Sequence, residues 1–280
     1  MSLIDLHCHS TASDGHLTPT ELVEHAAAAG VTTMALTDHD TVEGLDEALA
    51  AGARSGVQVI PGIELTVQVP HGSMHLLAYL PTTRPEALVE RMTRQTELRT
   101  ERIRMIVDRL AEIGVPVEWD AVRARAAGQM GRPHVAHEMV QAGHVQTVQE
   151  AFDRYLADGG PAHVPNAGLE PHDALSLVGA VGGVAVLAHP ASLRLPPRHL
   201  QSFVQSLAAR GLRGIEVHRP EHTAEQRDAY GAIAKRLRLI PSGGSDFHKP
   251  DGPFLIGDTG TPPLGHASVE LIVTGANLSE

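Results

Sequence analysis

Seven apolar segments of strand length recur along the chain, and helical stretches separate most of them. These segments comprise residues 3–8, 32–37, 57–60, 74–80, 183–188, 214–218 and 237–241. Buried strands that alternate with helices predict a mostly parallel sheet, closed or nearly closed into a barrel. With 280 residues, the chain is long enough for one α/β barrel of this kind or for two smaller domains.

The connection between the third and fourth strands departs from this alternation. Only about ten residues separate Glu64 from Met74, which is too few for a helical crossover. The stretch from Pro70 to Ser73 is typical of a turn. We therefore expect a hairpin here, which would make the barrel irregular.

Helical patterns fill the chain after the fourth strand. A long pattern runs from Arg84 to Ile113, with apolar residues on one side and most arginines on the other. Shorter patterns follow before the chain returns to the barrel. We therefore predict an α/β barrel of residues 1–98 and 168–280, with a helical insertion at residues 99–167 after the fourth strand.

The charge of the chain is unevenly distributed. Its formal net charge of −11 argues against a general binder of nucleic acids or membrane surfaces. Residues 91–135 nevertheless carry nine arginines and six acidic residues, a net charge of +3, which leaves −14 for the remainder. The single cysteine excludes an internal disulfide and indicates a reducing compartment. Because there is also no signal-peptide pattern and no membrane-spanning apolar run, we expect a cytoplasmic protein.

Side chains that can bind metal ions recur at the ends of the predicted strands. His7 and His9 alternate with Leu6 and Cys8, so both imidazoles lie on one face of the first strand, about 7 Å apart. Active sites of parallel α/β barrels lie at the carboxyl ends of the strands. Nine N or O donors occupy these ends, namely His7, His9, Asp14, His39, Glu64, His75, His189, Asp246 and His248. This donor set suits Zn, Mn or Fe, and it indicates a metal centre.

Five motifs at these positions resemble those of the polymerase and histidinol phosphatase (PHP) superfamily of metal-dependent phosphoesterases. The motifs are Asp5-Leu6-His7-Cys8-His9, Thr37-Asp38-His39-Asp40, Gly62-Ile63-Glu64, Ala188-His189-Pro190 and Gly244-Ser245-Asp246-Phe247-His248. The resemblance covers the whole chain and implies a distorted (β/α)7 barrel with three metal ions. It also implies hydrolysis of a phosphate ester by a hydroxide shared between two ions, with no covalent nucleophile.

The same resemblance distributes the nine donors over three metal ions. It implies that His7, His9, Glu64 and Asp246 hold the first ion, that Glu64, His75 and His189 hold the second, and that Asp14, His39 and His248 hold the third. Many relatives have His at the position of Asp14. A carboxylate there makes the third site harder and favours Mn²⁺, with Zn²⁺, Fe²⁺ and Mg²⁺ as alternatives. As catalytic candidates, Asp38, Asp40 and Glu216 would orient the ligating imidazoles or handle protons; alternatively, they cap helices or loops.

The predicted insertion contains the candidate substrate-binding residues. The segment from Gly131 to His134 resembles the phosphate-contacting motif of the nucleotide-directed branch of the superfamily. Arg132 can bind a phosphate through two hydrogen bonds, and His134 can add a donor. Arg99 and Arg102 on the long helix are further candidates, unless they only form a solvated face. We therefore interpret the insertion as a substrate-binding lid.

These features predict a phosphomonoesterase that acts on small phosphorylated nucleotides with up to three Mn²⁺ ions. The closest branch of the superfamily removes phosphate from nucleoside 3′,5′-bisphosphates or from 5′-mononucleotides. We favour the bisphosphate, because a basic lid can hold one phosphate while the other is hydrolysed. No long nucleic acid and no membrane partner is expected, and the sequence leaves the oligomeric state open.

Other functions are compatible with parts of the same pattern. A 5′-3′ exonuclease on short RNA and a histidinol phosphate phosphatase would keep the chemistry and change the substrate. A structural PHP module would bind metal without turnover. Metal-dependent amide hydrolysis on a related barrel is disfavoured, because no Lys occurs at a strand end to serve as a bridging carbamate.

Overall fold

Two compact units make up the chain. The computed structural model describes residues 3–126, 130–165, 168–260 and 263–275. The barrel unit comprises Met1–Glu90 and Leu169–Glu280, and the helical unit comprises Arg91–Gly168. The helical unit thus begins at Arg91 rather than at residue 99, inside a helix that is continuous across both positions. The predicted end of the insertion at residue 167 lies outside the described residues.

Seven strands form one sheet whose order follows the sequence. They are β1 (Leu3–Cys8), β2 (Val31–Leu36), β3 (Gln58–Val67), β4 (Met74–Tyr79), β5 (Val184–Leu187), β6 (Gly214–His218) and β7 (Ile240–Gly243). Neighbouring strands are parallel except for β4, which is antiparallel to both β3 and β5. The amide of Asp246 donates to the His7 carbonyl at 2.9 Å, and the amide of His9 donates to the Phe247 carbonyl at 2.9 Å. These bonds join β1 to the segment after β7 and close the barrel, so the predicted α/β barrel is confirmed.

The interior of the barrel is apolar across almost all of its strands. One buried cluster includes Leu6 of β1, Ala35 of β2, Leu77 of β4 and Val186 of β5. Parallel strands covered by helices on the outside are buried on both faces, which explains their nearly continuous apolar sequences. The packed interior leaves the polar residues to gather at a rim of the barrel.

Strand β3 changes its partner half-way along. Residues up to Pro61 pair with β2 in parallel, and residues from Gly62 pair with β4 in antiparallel orientation. A proline lacks the N–H that a continuous ladder requires, and it is tolerated where the ladder is interrupted. The predicted hairpin is confirmed, but β3 extends to Val67 instead of ending at residue 60.

The reversal of β4 changes how His75 reaches the site. His75 is the second residue of β4, so its assignment to the carboxyl end of a strand was wrong. Because β4 is antiparallel to its neighbours, its start lies at the rim where the parallel strands end. His75 therefore lies at the same rim as the other candidates, although it enters from the opposite end of its strand.

Ten α-helices are present among the described residues. They are α1 (Pro19–Ala28), α2 (Leu45–Ser55), α3 (Glu86–Glu112), α4 (Trp119–Arg125), α5 (Arg132–Gln141), α6 (Val148–Ala151), α7 (Pro171–Ala180), α8 (Pro197–Ala208), α9 (Ala224–Leu237) and α10 (His266–Thr274). The first begins at a capping box in which the Glu21 amide donates to Thr18 Oγ1 and the Thr18 amide donates to Glu21 Oε2. Within the described part of the chain, no helix combines the length and the apolar character that crossing a membrane requires.

The helical unit has a hydrophobic core of its own. Ile103, Ile106 and Leu110 of α3 are fully buried, together with Val122 of α4 and Met139 of α5. The apolar side of α3 repeats every three to four residues and packs into this core, as the sequence pattern predicts. Helix α6 continues as a short π-helix, Phe152–Leu156. No strand occurs in residues 91–126 or 130–165.

Hydrogen bonds of Asp5 connect strand β1 to the segments that follow β7. Its fully buried carboxylate accepts hydrogen bonds from the Ser245 amide at 2.9 Å, the Ser245 hydroxyl at 2.5 Å and the Gly257 amide at 2.8 Å. Removal of a buried acceptor leaves its donors unsatisfied, at a cost of about 1–3 kcal/mol each.

Asp5→Ala is therefore expected to lower the free energy of unfolding by about 3 kcal/mol or more. Urea denaturation in the presence of a chelator would measure this loss without a contribution from bound metal. Asp46→Ala is the control, because Asp46 forms an exposed ion pair with Arg84 at 3.3 Å and is expected to cost less than about 1 kcal/mol. Equal losses in the two variants would contradict the proposed role of Asp5.

Candidate metal centre

All nine predicted donors lie together at one rim of the barrel unit. Three overlapping groups have ligand atoms within 4.8 Å of one another. The groups are His7, His9, Glu64 and Asp246; His39, Glu64 and His75; and His9, Asp14, His39 and His248. The ninth donor, His189, lies with Nε2 2.9 Å from Glu64 Oε1. The first group contains the same residues as the first predicted set. The second group contains His39 in addition to Glu64 and His75, and His189 lies beside its Glu64. The third group contains His9 in addition to the three predicted residues.

Glu64 is at the centre of this arrangement. Its Oε1 faces His75 Nδ1 at 2.8 Å and His189 Nε2 at 2.9 Å. Its Oε2 faces His7 Nε2 at 3.0 Å and His9 Nε2 at 3.1 Å. Burial alone would raise the pKa of Glu64, but the surrounding imidazoles hold it well below its usual range. Glu64 is therefore a carboxylate whose two oxygens serve two different groups of donors.

Asp246 completes the first group. Its Oδ1 lies 3.1 Å from His9 Nε2 and 3.3 Å from His7 Nε2. Burial acts to raise the pKa of Asp246, but His7 and His9 outweigh burial and hold the pKa well below its usual range. Burial acts to lower the pKa of His9, but the carboxylates of Asp246 and Glu64 outweigh burial and raise the pKa of His9 to about 9. The first group therefore consists of two carboxylates and two imidazoles in close contact, an arrangement that favours a bound cation.

The third group is more open to solvent. Asp14 lies 3.5 Å from His9 Nδ1, 3.4 Å from His248 Nε2 and 3.8 Å from His39 Nε2. The side chain of Asp14 is 54% exposed, whereas His9 is fully buried. Burial opposes ionisation of Asp14, but hydrogen bonding to His248 and the charge of His39 lower its pKa below the usual range. Asp14 therefore supplies a negative charge at the outer edge of the centre.

The donors fit metal ions by two structural criteria. Both ring nitrogens of His9 are buried without a hydrogen bond of acceptable geometry, although Nε2 lies close to two carboxylates. A buried polar atom without a hydrogen bond needs another partner, which a cation would provide. Atoms that bind one ion at roughly 2.1 Å stand about 3.0 Å apart in octahedral and about 3.4 Å apart in tetrahedral geometry, and the distances around Glu64 and Asp246 are close to these values.

Three imidazoles also use their second ring nitrogen in the way that metal-binding histidines do. Nδ1 of His7 lies 2.9 Å from Glu216 Oε1, Nδ1 of His189 lies 3.0 Å from Ser192 Oγ, and Nδ1 of His248 lies 2.8 Å from the Asp246 carbonyl. A partner on one nitrogen fixes the tautomer and the ring orientation, and it leaves Nε2 as the donor to a metal.

The structure gives the three predicted catalytic residues different contacts. Glu216 is fully buried, and although burial opposes its charge, His7 and Arg219 lower its pKa to about 2. Asp38 accepts hydrogen bonds from the Ser10 amide at 2.8 Å, the Ser10 hydroxyl at 2.7 Å and the Ser13 hydroxyl at 2.6 Å. Asp40 accepts a hydrogen bond from the Thr66 amide at 2.8 Å. These contacts agree with an imidazole-orienting role for Glu216 and with loop capping by Asp38 and Asp40. Their assignment as catalytic residues stays a prediction.

Backbone strain is concentrated at this rim. Asp40, His189 and Asp246 have positive φ angles of 50°, 23° and 57°. Non-glycine residues rarely adopt such angles, and they persist where the surrounding structure determines them. The hydrogen bonds from the Asp246 amide to the His7 carbonyl and from the His189 amide to Glu216 hold two of these residues in place.

Sequence reasoning missed one residue that contacts the predicted metal donors. Arg219 follows β6, its side chain is only 1% exposed, and it lies 3.1 Å from Asp246 Oδ2. A single arginine after a strand usually belongs to the solvated surface, so no motif identified it. Its position at the same strand ends as the metal donors is the one signal that could have done so.

The predicted substrate-binding arginines form a cluster within the helical unit. Arg132 Nη1 donates to the Leu156 carbonyl at 3.0 Å and to Asp158 Oδ1 at 2.9 Å. Arg102 Nε donates to the Val164 carbonyl at 2.8 Å. Burial lowers the pKa of Arg102, and the nearby charges of Arg132 and Arg99 lower it further. Arg102 thus lies close enough to two further arginines and to Asp158 for their charges to act on it, and a group of neighbouring arginines is suited to binding an anion.

His134 has a structural contact in addition to its predicted role. The Gly131 amide donates to His134 Nδ1 at 3.0 Å, at the start of α5. In the neutral ring, Nε2 then carries the proton and can donate to an anion. The assignment of all four residues to the substrate stays a prediction.

Comparison with known proteins identifies the family. Residues 5–156 match the PHP domain. The chain belongs to the PHP family. This PHP protein is 37% identical over 249 residues to a 5′-3′ exoribonuclease of Haemophilus influenzae, with 89% of this chain and 90% of the relative covered. It is 35% identical over 268 residues to a 3′,5′-nucleoside bisphosphate phosphatase of Chromobacterium violaceum, with 94% of each covered.

A solved structure supports the same family and fold. The PHP protein resembles a protein from Bifidobacterium adolescentis, provisionally assigned as a metal-dependent phosphoesterase, with a TM-score of 0.78. The two are 31% identical, and the likeness covers 98% of this chain and 96% of the other. The predicted family and enzyme class are confirmed, and the chain is a metal-dependent phosphoester hydrolase.

Proposed function

We propose that this PHP protein is a phosphomonoesterase that releases phosphate from nucleoside 3′,5′-bisphosphates, nucleoside 5′-monophosphates or both. The observation that carries the proposal is the cluster of Arg99, Arg102 and Arg132 in the helical unit. A metal centre alone suffices to hydrolyse a phosphate ester, whereas a separate group of arginines suits a substrate with a second phosphate. The relative from Chromobacterium violaceum carries the name of such an activity.

The residues of the metal centre have separate tasks in this proposal. Bound divalent ions would supply an activated water and neutralise the phosphoryl oxygens. Glu64 would hold two ions through its two oxygens, Glu216 would hold the proton on His7 Nδ1, and Asp246 would present Oδ1. These contacts fix the donor atoms before a substrate arrives, which reduces the reorganisation that the reaction requires.

The carboxylate oxygens among the nine donors are hard ligands, and they favour Mn²⁺ as the native ion. Three of the nine donors, Asp14, Glu64 and Asp246, offer carboxylate oxygens, and Cys8 is buried in the strand without being a donor. Zn²⁺ and Fe²⁺ would also accept this mixture of N and O atoms, and Mg²⁺ is the least suited to the imidazoles. The three overlapping groups of donors support a number of up to three ions for each chain.

A 5′-3′ exoribonuclease on short RNA is the second candidate. Its support is the relative from Haemophilus influenzae, which is matched over a similar share of the chain. The basic cluster would then bind the backbone of a short strand. The net charge of −14 outside residues 91–135 disfavours a long polyanion but not a few nucleotides.

Phosphate release from four compounds distinguishes the candidates. The panel comprises adenosine 3′,5′-bisphosphate, 5′-AMP, histidinol phosphate and a 5′-phosphorylated trinucleotide, each with Mn²⁺ and after chelation. We expect fast, Mn²⁺-restored turnover of the bisphosphate, and chromatography of the remaining mononucleotide would identify the ester that was cleaved. Consumption of the trinucleotide alone would support the exoribonuclease, and no turnover with metal bound would refute both candidates.

A further inference from the structure

Arg219 is a buried arginine that contacts three carboxylates of the barrel unit. Its Nη2 lies 3.1 Å from Asp246 Oδ2 and 3.0 Å from Glu221 Oε2, and its Nη1 lies 3.3 Å from Glu216 Oε2. Arginines are almost never fully buried unless they are paired. Burial opposes the charge, but Glu216 and Asp246 raise the pKa of Arg219 above its usual value. The guanidinium is therefore a fixed cation directly behind the metal donors.

The two oxygens of Asp246 face different partners. Oδ1 lies 3.1 Å from His9 Nε2, inside the first group of metal donors. Oδ2 accepts a hydrogen bond from Arg219 Nη2 at 3.1 Å. A charge-assisted hydrogen bond to a guanidinium is strong and directional, so it holds the Asp246 carboxylate in one orientation. In this orientation Oδ1 is the oxygen that faces the imidazoles of His7 and His9, and Oδ2 faces Arg219.

The same guanidinium also supports His7 through Glu216. Glu216 Oε1 lies 2.9 Å from His7 Nδ1, while Glu216 Oε2 accepts from Arg219 Nη1. Arg219 Nη1 is also 3.4 Å from His7 Nδ1, but Nδ1 lies nearer to Glu216, so the imidazole N–H donates a hydrogen bond to Glu216 Oε1. The planar fork of an arginine can hold two carboxylates at fixed positions, whereas a lysine offers one compact charge.

We propose that Arg219 is a positioning residue that restricts Asp246 to a single oxygen ligand and thereby disfavours large ions at the first site. Ca²⁺ takes six to eight oxygen ligands and readily uses both oxygens of one carboxylate. Ions such as Mn²⁺ or Zn²⁺ need fewer ligands and accept imidazole nitrogen. The guanidinium accordingly favours Mn²⁺ or Zn²⁺ over Ca²⁺ at the first site, because it fixes the orientation of the Asp246 carboxylate. The inference rests on the metal centre and is independent of which phosphate ester is the substrate.

Competition between Ca²⁺ and Mn²⁺ tests this role without measuring turnover. Wild-type protein, Arg219→Met and Arg219→Lys would be dialysed against mixtures of the two ions, and the bound metals would be counted by elemental analysis. In Arg219→Met, the ratio of the Ca²⁺ dissociation constant to that of Mn²⁺ is expected to fall about 10-fold, because Oδ2 of Asp246 becomes available. Arg219→Lys is expected to shift the ratio in the same direction by a smaller factor.

Two further variants test whether the change in the ratio of dissociation constants arises at Asp246. Arg84→Met is the control, because Arg84 also pairs with two carboxylates but is 47% exposed, and its ratio is expected to stay at the wild-type value. Asp246→Asn removes the second carboxylate oxygen, and Asn tolerates the positive φ of this position. Adding Arg219→Met to Asp246→Asn is therefore expected to leave the ratio unchanged.

The proposal would be overturned by an unchanged ratio in both Arg219 variants. It would also be overturned if the shift persisted in the Asp246→Asn background, since a released Oδ2 would then not be the cause. Circular dichroism and thermal melting would establish that each variant is folded. If Arg219→Met does not fold, Arg219→Lys and Arg219→Gln provide the same comparison, with the same outcomes for and against.

Discussion

Replacement of Glu64 by Gln is expected to lower kcat for phosphate release by on the order of 10³-fold or more, because metal ions contribute several kcal/mol to such reactions. Glu64 is 1% exposed, and its two oxygens face four imidazole nitrogens at 2.8–3.1 Å. In glutamine, an amide NH₂ group replaces one of these oxygens, and this group donates hydrogen bonds and does not bind a cation. Steady-state kinetics with Mn²⁺, together with the number of ions retained after dialysis, would measure both consequences.

The same substitution at an exposed position provides the control for Glu64→Gln. Glu43 is 65% exposed and forms an ion pair with Arg84 at 2.7 Å, so Glu43→Gln is expected to keep wild-type kcat and metal content. If Glu64→Gln retained both its ions and its turnover, Glu64 could not be the carboxylate that joins two metal groups. Thermal melting of the two variants would separate loss of the site from loss of the fold.

Arg132→Ala is expected to raise the Michaelis constant for adenosine 3′,5′-bisphosphate by about 10- to 100-fold, because hydrogen bonds to charged groups contribute about 1.5–3 kcal/mol. For p-nitrophenyl phosphate, which has no second phosphate, the expected change is less than about 3-fold. Among the described residues, Arg132 donates hydrogen bonds through Nη1, and its other N–H groups are further donors that a phosphate could use.

Arg154→Ala is a matched control for Arg132→Ala. Both arginines belong to the helical unit, pair with one carboxylate and stack over an aromatic ring, Arg132 over Phe152 and Arg154 over Tyr155. Of these two arginines, Arg132 is the one that lies close enough to Arg102 to lower the pKa of Arg102. Equal losses on the bisphosphate and on p-nitrophenyl phosphate would contradict the substrate-binding role, as would equal effects in the two arginine variants.

Much of the architecture could be predicted because short apolar runs and their polar ends are local features. The bounds of β1 and β6 agree with the predicted segments, and the capping box of Thr18 and Glu21 that begins α1 is equally local in sequence. Strand β3 was more difficult, since Pro61 followed by Gly62 is typical of a strand end. Its continuation depends on pairing with β4, and such pairing is a tertiary effect that local sequence does not encode.

The candidate site was predictable to the extent that its donors sit at strand ends. His7, Glu64 and Asp246 follow from that rule, and the structure brings them together. The pairing of Arg219 with Asp246 and Glu216 was not predictable, because it depends on how the loops after two different strands fold over the rim. The donors could thus be recognised one strand at a time. The contacts of Arg219 with Asp246 and Glu216 could be recognised only from the three-dimensional structure of the barrel.

The reversed strand β4 also influences the order in which the ligands assemble as the chain folds. Glu64 and His75 are 11 residues apart and lie on neighbouring strands of a hairpin, whereas 125 residues separate Glu64 from His189. The loop-closure entropy of the shorter connection is smaller by about 2 kcal/mol, because this cost grows with the logarithm of the loop length. By this entropic ranking, the hairpin brings its carboxylate and imidazole together first, and the distant ligands join them only when the barrel closes.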